Sequence, residues 1–123
     1  MNYLEKFNNT FNEFMDDLIN LFPNDSDLRM YKNMLSTALC VDDKVLNNIF
    51  KVSVVENYGQ QLLAKDETFF LNHDYTELSS INVEYNALLN KIRTYWSNMN
   101  ENNKNTIWKY FKVLILLSNK IVI

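Results

Sequence analysis

A chain with one glycine and one proline among 123 residues has little material for tight turns. A β-sandwich or barrel needs a turn, usually marked by Gly or Pro, every eight to twelve residues or so. Here Pro23 and Gly59 must serve the whole length. The expected class is therefore all-α, with long helices and few, short loops. Domains usually hold about 100 to 200 residues, so residues 1–123 are read as a single helical domain. Hydrophobic residues make up 47% and charged residues 22%, the balance of a chain that folds and not of a disordered one.

Apolar spacing then places the helices. Leu4, Phe7, Phe11, Phe14, Leu18 and Leu21 alternate by threes and fours, which puts them on one face of a helix running from Tyr3 to Phe22. Pro23 stops it. Asp25 or Ser26 caps a second helix, with Leu28, Tyr31, Met34, Leu35, Ala38 and Leu39 as its expected buried face. Asp42 and Asp43 are read as caps of a third, carrying Val45, Leu46, Ile49, Phe50 and Val54. The end of that helix is open: Val52 to Val55 is β-branched and also fits an extended segment, and Gly59 marks a bend, an end or a close backbone approach. Asp66 caps a short turn with Phe69, Phe70 and Leu71.

Ser79 or Ser80 starts the next long helix, in which Ile81, Tyr85, Leu88, Ile92, Tyr95 and Met99 again alternate by four and three. A polar turn from Asn98 to Asn105 reverses the chain into Ile107–Leu117, IWKYFKVLILL. A helix bearing that run is apolar on every side and belongs inside a fold. It is too short for the roughly 18 to 20 apolar residues of a membrane span, and Lys109 and Lys112 interrupt it. The expected architecture is a bundle of five or six helices around a buried C-terminal helix, 107–117, with no membrane partner.

Few residues invite chemistry. The one histidine, His73, lies beside Asp74 and near Asp66 and Glu67, the basis of a metal-dependent hydrolase as a second alternative. No second His or Cys stands at a ligand spacing, so a polar loop histidine is the preferred reading. Asn24-Asp25-Ser26-Asp27 opens like a calcium loop but lacks the sixth-position Gly and the twelfth-position Glu. Cys40 stands alone, which excludes an intramolecular disulfide, and its neighbours Leu39 and Val41 point to core packing in a reducing compartment. A single glycine leaves no phosphate loop, nucleophile elbow or dinucleotide fingerprint. No enzymatic activity, cofactor or metal is expected.

Charge is uneven: residues 1 to 79 hold 13 acids against 6 bases, and residues 80 to 123 hold 2 against 6. Lys104, Lys109 and Lys112 lie among Trp96, Trp108, Tyr110 and Phe111, so an exposed basic, aromatic edge contacting nucleic acid is the alternative function. A pI near 5.1 weighs against a general polyanion binder. The preferred function is a non-catalytic protein–protein interaction or structural module. Its apolar inventory exceeds what one small domain hides. Tyr3, Phe22 and Met30, with Ile121 and Ile123 as a second patch, are the expected surface for a protein partner or a homodimer.

The C-terminal IRTYWSNMNENNKNTIWKYFKVLILLSNKI resembles the end of small uncharacterised helical proteins of nucleocytoplasmic large DNA viruses, in which an Ile-Trp-Lys-Tyr motif precedes an aliphatic run. FNEFMDDLINLFP is similar to the first helix of the same group. The resemblance implies a viral protein acting in the host-cell cytoplasm or the virion, and it carries over no catalytic residue. The N-terminal MNYLEKFNNTFNEF, with polar residues every third or fourth position, reads as neither a signal nor a transit peptide and fits a cytoplasmic setting.

Overall fold

A computed structural model of the chain describes residues 2–72 and 83–121. His73, Asp74, the expected cap at Ser79 or Ser80, Ile81 and Ile123 lie outside the described residues, as do the side chains of Ser53 and of residues 83–87. The described residues form helices α1 (Tyr3–Leu21), α2 (Ser26–Val41), α3 (Val45–Phe50), α4 (Glu56–Leu63), α5 (Glu67–Asn72), α6 (Val83–Tyr95) and α7 (Glu101–Lys120), with no strand among them. A π-helical turn, Lys51–Val55, joins α3 to α4, and a 3-10 turn, Trp96–Asn98, follows α6.

The helix ends follow from local chemistry. Asn2 Oδ1 accepts from the Glu5 N–H at 2.7 Å to start α1, and Asn100 Oδ1 accepts from the Asn103 N–H at 2.8 Å to start α7. Each side chain satisfies one of the first-turn N–H groups that a helix cannot pair internally. Asp66 Oδ1 takes the Phe69 N–H at 3.0 Å, as the sequence led one to expect. Asp42 acts differently from the cap assigned to it. It accepts from the Lys44 N–H at 3.0 Å and folds the turn before α3, whose own N-cap position, Lys44, makes no side-chain cap.

The β-branched run is helical, not extended. Backbone angles stay in the right-handed helical region at Phe50, Lys51, Val55 and Glu56, so Val45 to Leu63 is one continuous rod. Its buried apolar side chains, Leu46, Phe50, Val54, Tyr58 and Leu62, recur at strict fours. With 3.6 residues per turn, each step of four overshoots by about 40°, and a pure α-helix would wind the later members off the core. The wider π turn takes up an extra residue and brings them back.

Gly59 does not end this rod. It is buried inside α4 with no positive φ, and a methyl group there would meet Val55 Cγ1 at 3.6 Å, an ordinary contact. The left-handed residue is Lys65, φ 55°, where the Lys65 N–H donates to the Leu62 carbonyl and the Asp66 N–H to that of Gln61. That pair of bonds closes a Schellman motif with lysine in the place usually held by glycine.

One continuous core joins the helices. α1 contributes Phe7, Phe11, Phe14, Met15 and Leu18 and α7 contributes Ile107, Trp108, Phe111, Leu114 and Ile115; Phe14 meets Phe111 edge to face at 5.9 Å, while Phe7 meets Phe50 of α3 at 5.3 Å. Phe70 of α5 sits among Trp96, Trp108 and Phe111 with ring centroids 5.2 to 5.8 Å apart, edge to face, the arrangement aromatic quadrupoles favour. Leu88, Leu89 and Ile92 of α6 close the core against Phe111 and Leu114 around an apolar gap of about 20 Å³. Ser118 Oγ, itself buried, donates to buried Asn47 Oδ1 at 2.7 Å and fixes the register of α7 on α3.

α7 is central, yet it is not buried all round as IWKYFKVLILL led one to expect. Lys109, Lys112 and Leu116 form a solvent-facing stripe with Asn105 and Asn119. α2 departs further. Leu28 is its one buried residue, Tyr31, Leu35, Ala38 and Leu39 are half-buried, and Met34, assigned to the inner face, is exposed.

Candidate interaction surface

The outer side of α2 is apolar. Met30 is 48% exposed, Met34 42% and Val41 86%, and Thr37 between them is also exposed. Residues 30, 34, 37 and 41 fall within about 60° of one another on a helix with 3.6 residues per turn. The stripe lies opposite the side that Leu28, Leu35 and Leu39 press onto the core. Cys40, read as a core residue, is exposed beside it. From Asn33 to Val41 the helix carries no charge. Lys32, on the inner flank, is engaged by Asp16 of α1.

A polar network holds α2 in place. Lys91 of α6 lies 2.9 Å from Asp25 Oδ2 and 3.1 Å from Asp27 Oδ2, Tyr95 donates its hydroxyl to Asp25 Oδ2, and the Asp27 N–H donates to Asp25 Oδ1 at 3.0 Å. Burial of the Asp25 side chain, 8% exposed, works to raise its pKa. Bonds from Tyr95, Lys91 and the Asp27 N–H outweigh that and hold the carboxyl below its ordinary value. The same contact with Asp25 drives Lys91 well above its ordinary range and raises Tyr95. Burial, then the Asp27 charge, raises Tyr31. A cleft of about 490 Å³ opens here between Phe22, Pro23, Asp27, Lys91 and Tyr95. The acids, the amine and the hydroxyl satisfy one another, so the network clamps the start of α2 to α6.

The other expected surface residues are dispersed. Tyr3 is exposed, with the Lys120 amine 5.5 Å from its ring. Phe22 is half-buried, stacked on Tyr95 at 4.0 Å with planes 12° apart, and so belongs to the α2 clamp and not to a free patch. Ile121 is half-buried against the core, and its carbonyl accepts from Lys51 Nζ at 2.7 Å. Among the described members of the expected set, only Met30 lies on the α2 stripe.

The basic edge is also broken. Lys109 and Lys112 are exposed, but the Lys104 side chain is 17% exposed, laid 5.8 Å over the Trp96 ring and 3.7 Å from Glu101. Trp96, Trp108 and Phe111 are buried. Tyr110 packs on Phe14 and donates its hydroxyl to Asp17; burial, then this bond, raises its pKa. Among the described residues no group of three or more His, Cys, Asp or Glu is placed to hold a metal ion, and no helix is long and apolar enough to cross a membrane.

The class these features define is an all-α domain in which the described residues share a packed core and α2 leaves its outer face apolar. No known family model, characterised protein or solved structure matches the chain.

Proposed function

We propose that the chain is a non-catalytic helical protein–protein interaction module that docks its partner on the outer face of α2. The observation that carries this reading is the solvent exposure of Met30, Met34 and Val41 on a helix whose opposite side is already committed to the core. An apolar stripe of this kind on a folded domain usually marks a binding site. Methionine suits such a face, because its flexible thioether adapts to a partner's contours. The mutual satisfaction of Asp25, Asp27, Lys91 and Tyr95 supports a structural role for the cleft beside it. The viral origin and host-cytoplasm setting form part of this reading on the strength of the resemblance alone.

Nucleic-acid binding is less well supported, since the buried tryptophans offer bases no stacking surface and Lys104 is engaged. A photo-crosslinking residue in place of Met34 should capture a discrete partner in cells that make the chain, and the same residue in place of Asn105 should not. Equal capture at both positions, or none at position 34, would overturn the proposal.

A further inference from the structure

The polar groups of the cleft beside α2 are paired with one another; those of a second depression are not. α1 and α7 run antiparallel, with the Lys120 amine 5.5 Å from the Tyr3 ring at one end and Tyr110 packed on Phe14, ring centroids 5.0 Å apart, further along. Between the two helices opens a groove of about 380 Å³, lined by Thr10 and Glu13 of α1 and by Thr106, Lys109, Tyr110 and Val113 of α7. That volume lies in the range of small-molecule sites.

Its two walls differ in chemistry. Thr10 and Glu13, three residues apart, share one face of α1 and offer a hydroxyl and a carboxylate. Lys109 and Val113, four apart, share one face of α7 and offer an ammonium and an aliphatic surface, with the half-buried Tyr110 beside them. The Tyr110 hydroxyl is taken by Asp17, so only its ring is offered. Glu13 and Lys109 are exposed, and among the described residues neither forms an ion pair, with the other or elsewhere. Thr37, Thr94 and Thr106 each donate their hydroxyl to the carbonyl four residues back, a common outlet for a helical threonine, whereas Thr10 makes no such bond.

A ligand for this groove must carry a cation toward α1, an anion toward α7 and a short apolar body between them. We propose that it binds a free α-amino acid with an aliphatic side chain. The ammonium pairs with the Glu13 carboxylate and the Thr10 hydroxyl, the carboxylate pairs with the Lys109 amine, and the side chain lies on Val113 and the Tyr110 ring. Both charges of such a molecule sit on one carbon, so it bridges two side chains that do not reach each other. A wholly anionic or wholly cationic ligand would meet one wall of its own sign. The groove is open and its charges are screened by water, so the dissociation constant falls on the order of 1 mM.

Methyl-resolved NMR on the full chain tests this independently of the docking role of α2. L-leucine added to about 20 mM should shift the Thr10 and Val113 methyl resonances to saturation and leave that of Met34 in place. N-acetyl-leucine, which lacks the ammonium, and leucinamide, which lacks the carboxylate, should each bind about fivefold more weakly. Glu13→Gln should erase the preference for leucine over N-acetyl-leucine and keep the preference over leucinamide, and Lys109→Met should do the reverse. Both positions are exposed, so the two variants should keep the native fold. The absence of shifts at Thr10 and Val113, equal binding of leucine and its two derivatives, or preferences that ignore both substitutions would overturn the proposal.

Discussion

α1 and α2 are neighbours of similar length, 19 and 16 residues, and both show apolar spacing of threes and fours. α1 buries Phe7, Phe11, Phe14, Met15 and Leu18, whereas α2 buries Leu28 alone. The difference lies in how many apolar sides each has. The polar side of α1 carries Glu5, Asn9, Asn12 and Glu13, so a single orientation on the core satisfies it. α2 has Leu28, Leu35 and Leu39 on one side and Met30, Met34 and Val41 on the other, and one core takes only one of them. Periodicity identifies a helix; surplus apolar surface on its far side points to a partner.

The largest expected effects fall on the packed region. Leu114→Asp should abolish folding, because an unpaired charge in a fully buried position costs several kcal/mol, comparable to the stability of a small domain. Leu18→Ala should cost about 3 kcal/mol in urea denaturation. Met34→Ala, at a position equally apolar in sequence, should cost less than about 0.5 kcal/mol. Equal losses at Leu18 and Met34 would erase the contrast between α1 and α2.

Next in size is the clamp that orients α2. Lys91→Met leaves the Asp25 carboxylate buried without its counter-charge, and should cost about 1–2 kcal/mol, less than a wholly buried pair because the Lys91 side chain is partly exposed. The pH dependence has a definite sign. Asp25 is held below its ordinary pKa of 3.8, so its contribution is present above that value and is lost as pH falls through the lower folded value. Lys91 is raised above 10.5, so its contribution is complete below that value and is lost only as pH rises through the higher folded one. The stability difference between the native chain and Lys91→Met should be flat across neutral pH and shrink below about pH 4. A difference that grows on acidification would contradict the assignment.

Smaller effects belong to the rod between the two regions. Gly59→Ala and Lys65→Gly should each raise stability by about 0.5–1 kcal/mol, the first by stiffening a helical position with room for a methyl group, the second by relieving a left-handed lysine. Thermal melts of the two variants read this directly.

The all-α class, α1 with its buried face, the Asp66 cap and the central place of α7 were legible because each rests on local spacing or capping chemistry. Gly59 misled, since a lone glycine signals a helix end only when its φ is positive, and that conformation fell to Lys65. The π turn hid in the unbroken fours of Phe50, Val54, Tyr58 and Leu62. The Asp25–Lys91 clamp spans residues far apart in sequence and has no local signature. Cys40 and Met34 were placed inward because apolar residues fill both sides of α2, and nothing short of the packed structure says which side the core takes.

The account rests on the outer stripe of α2 serving association and not stability. Met30→Gln, Met34→Gln and Val41→Gln combined should leave the urea midpoint within about 0.5 kcal/mol of the native chain. A photo-crosslinking residue in place of Thr37, at the centre of the stripe, should capture a discrete partner in cells from the otherwise native chain and none from the triple variant. A triple variant that unfolds, or one that captures the same partner as the native stripe does, would contradict the central claim.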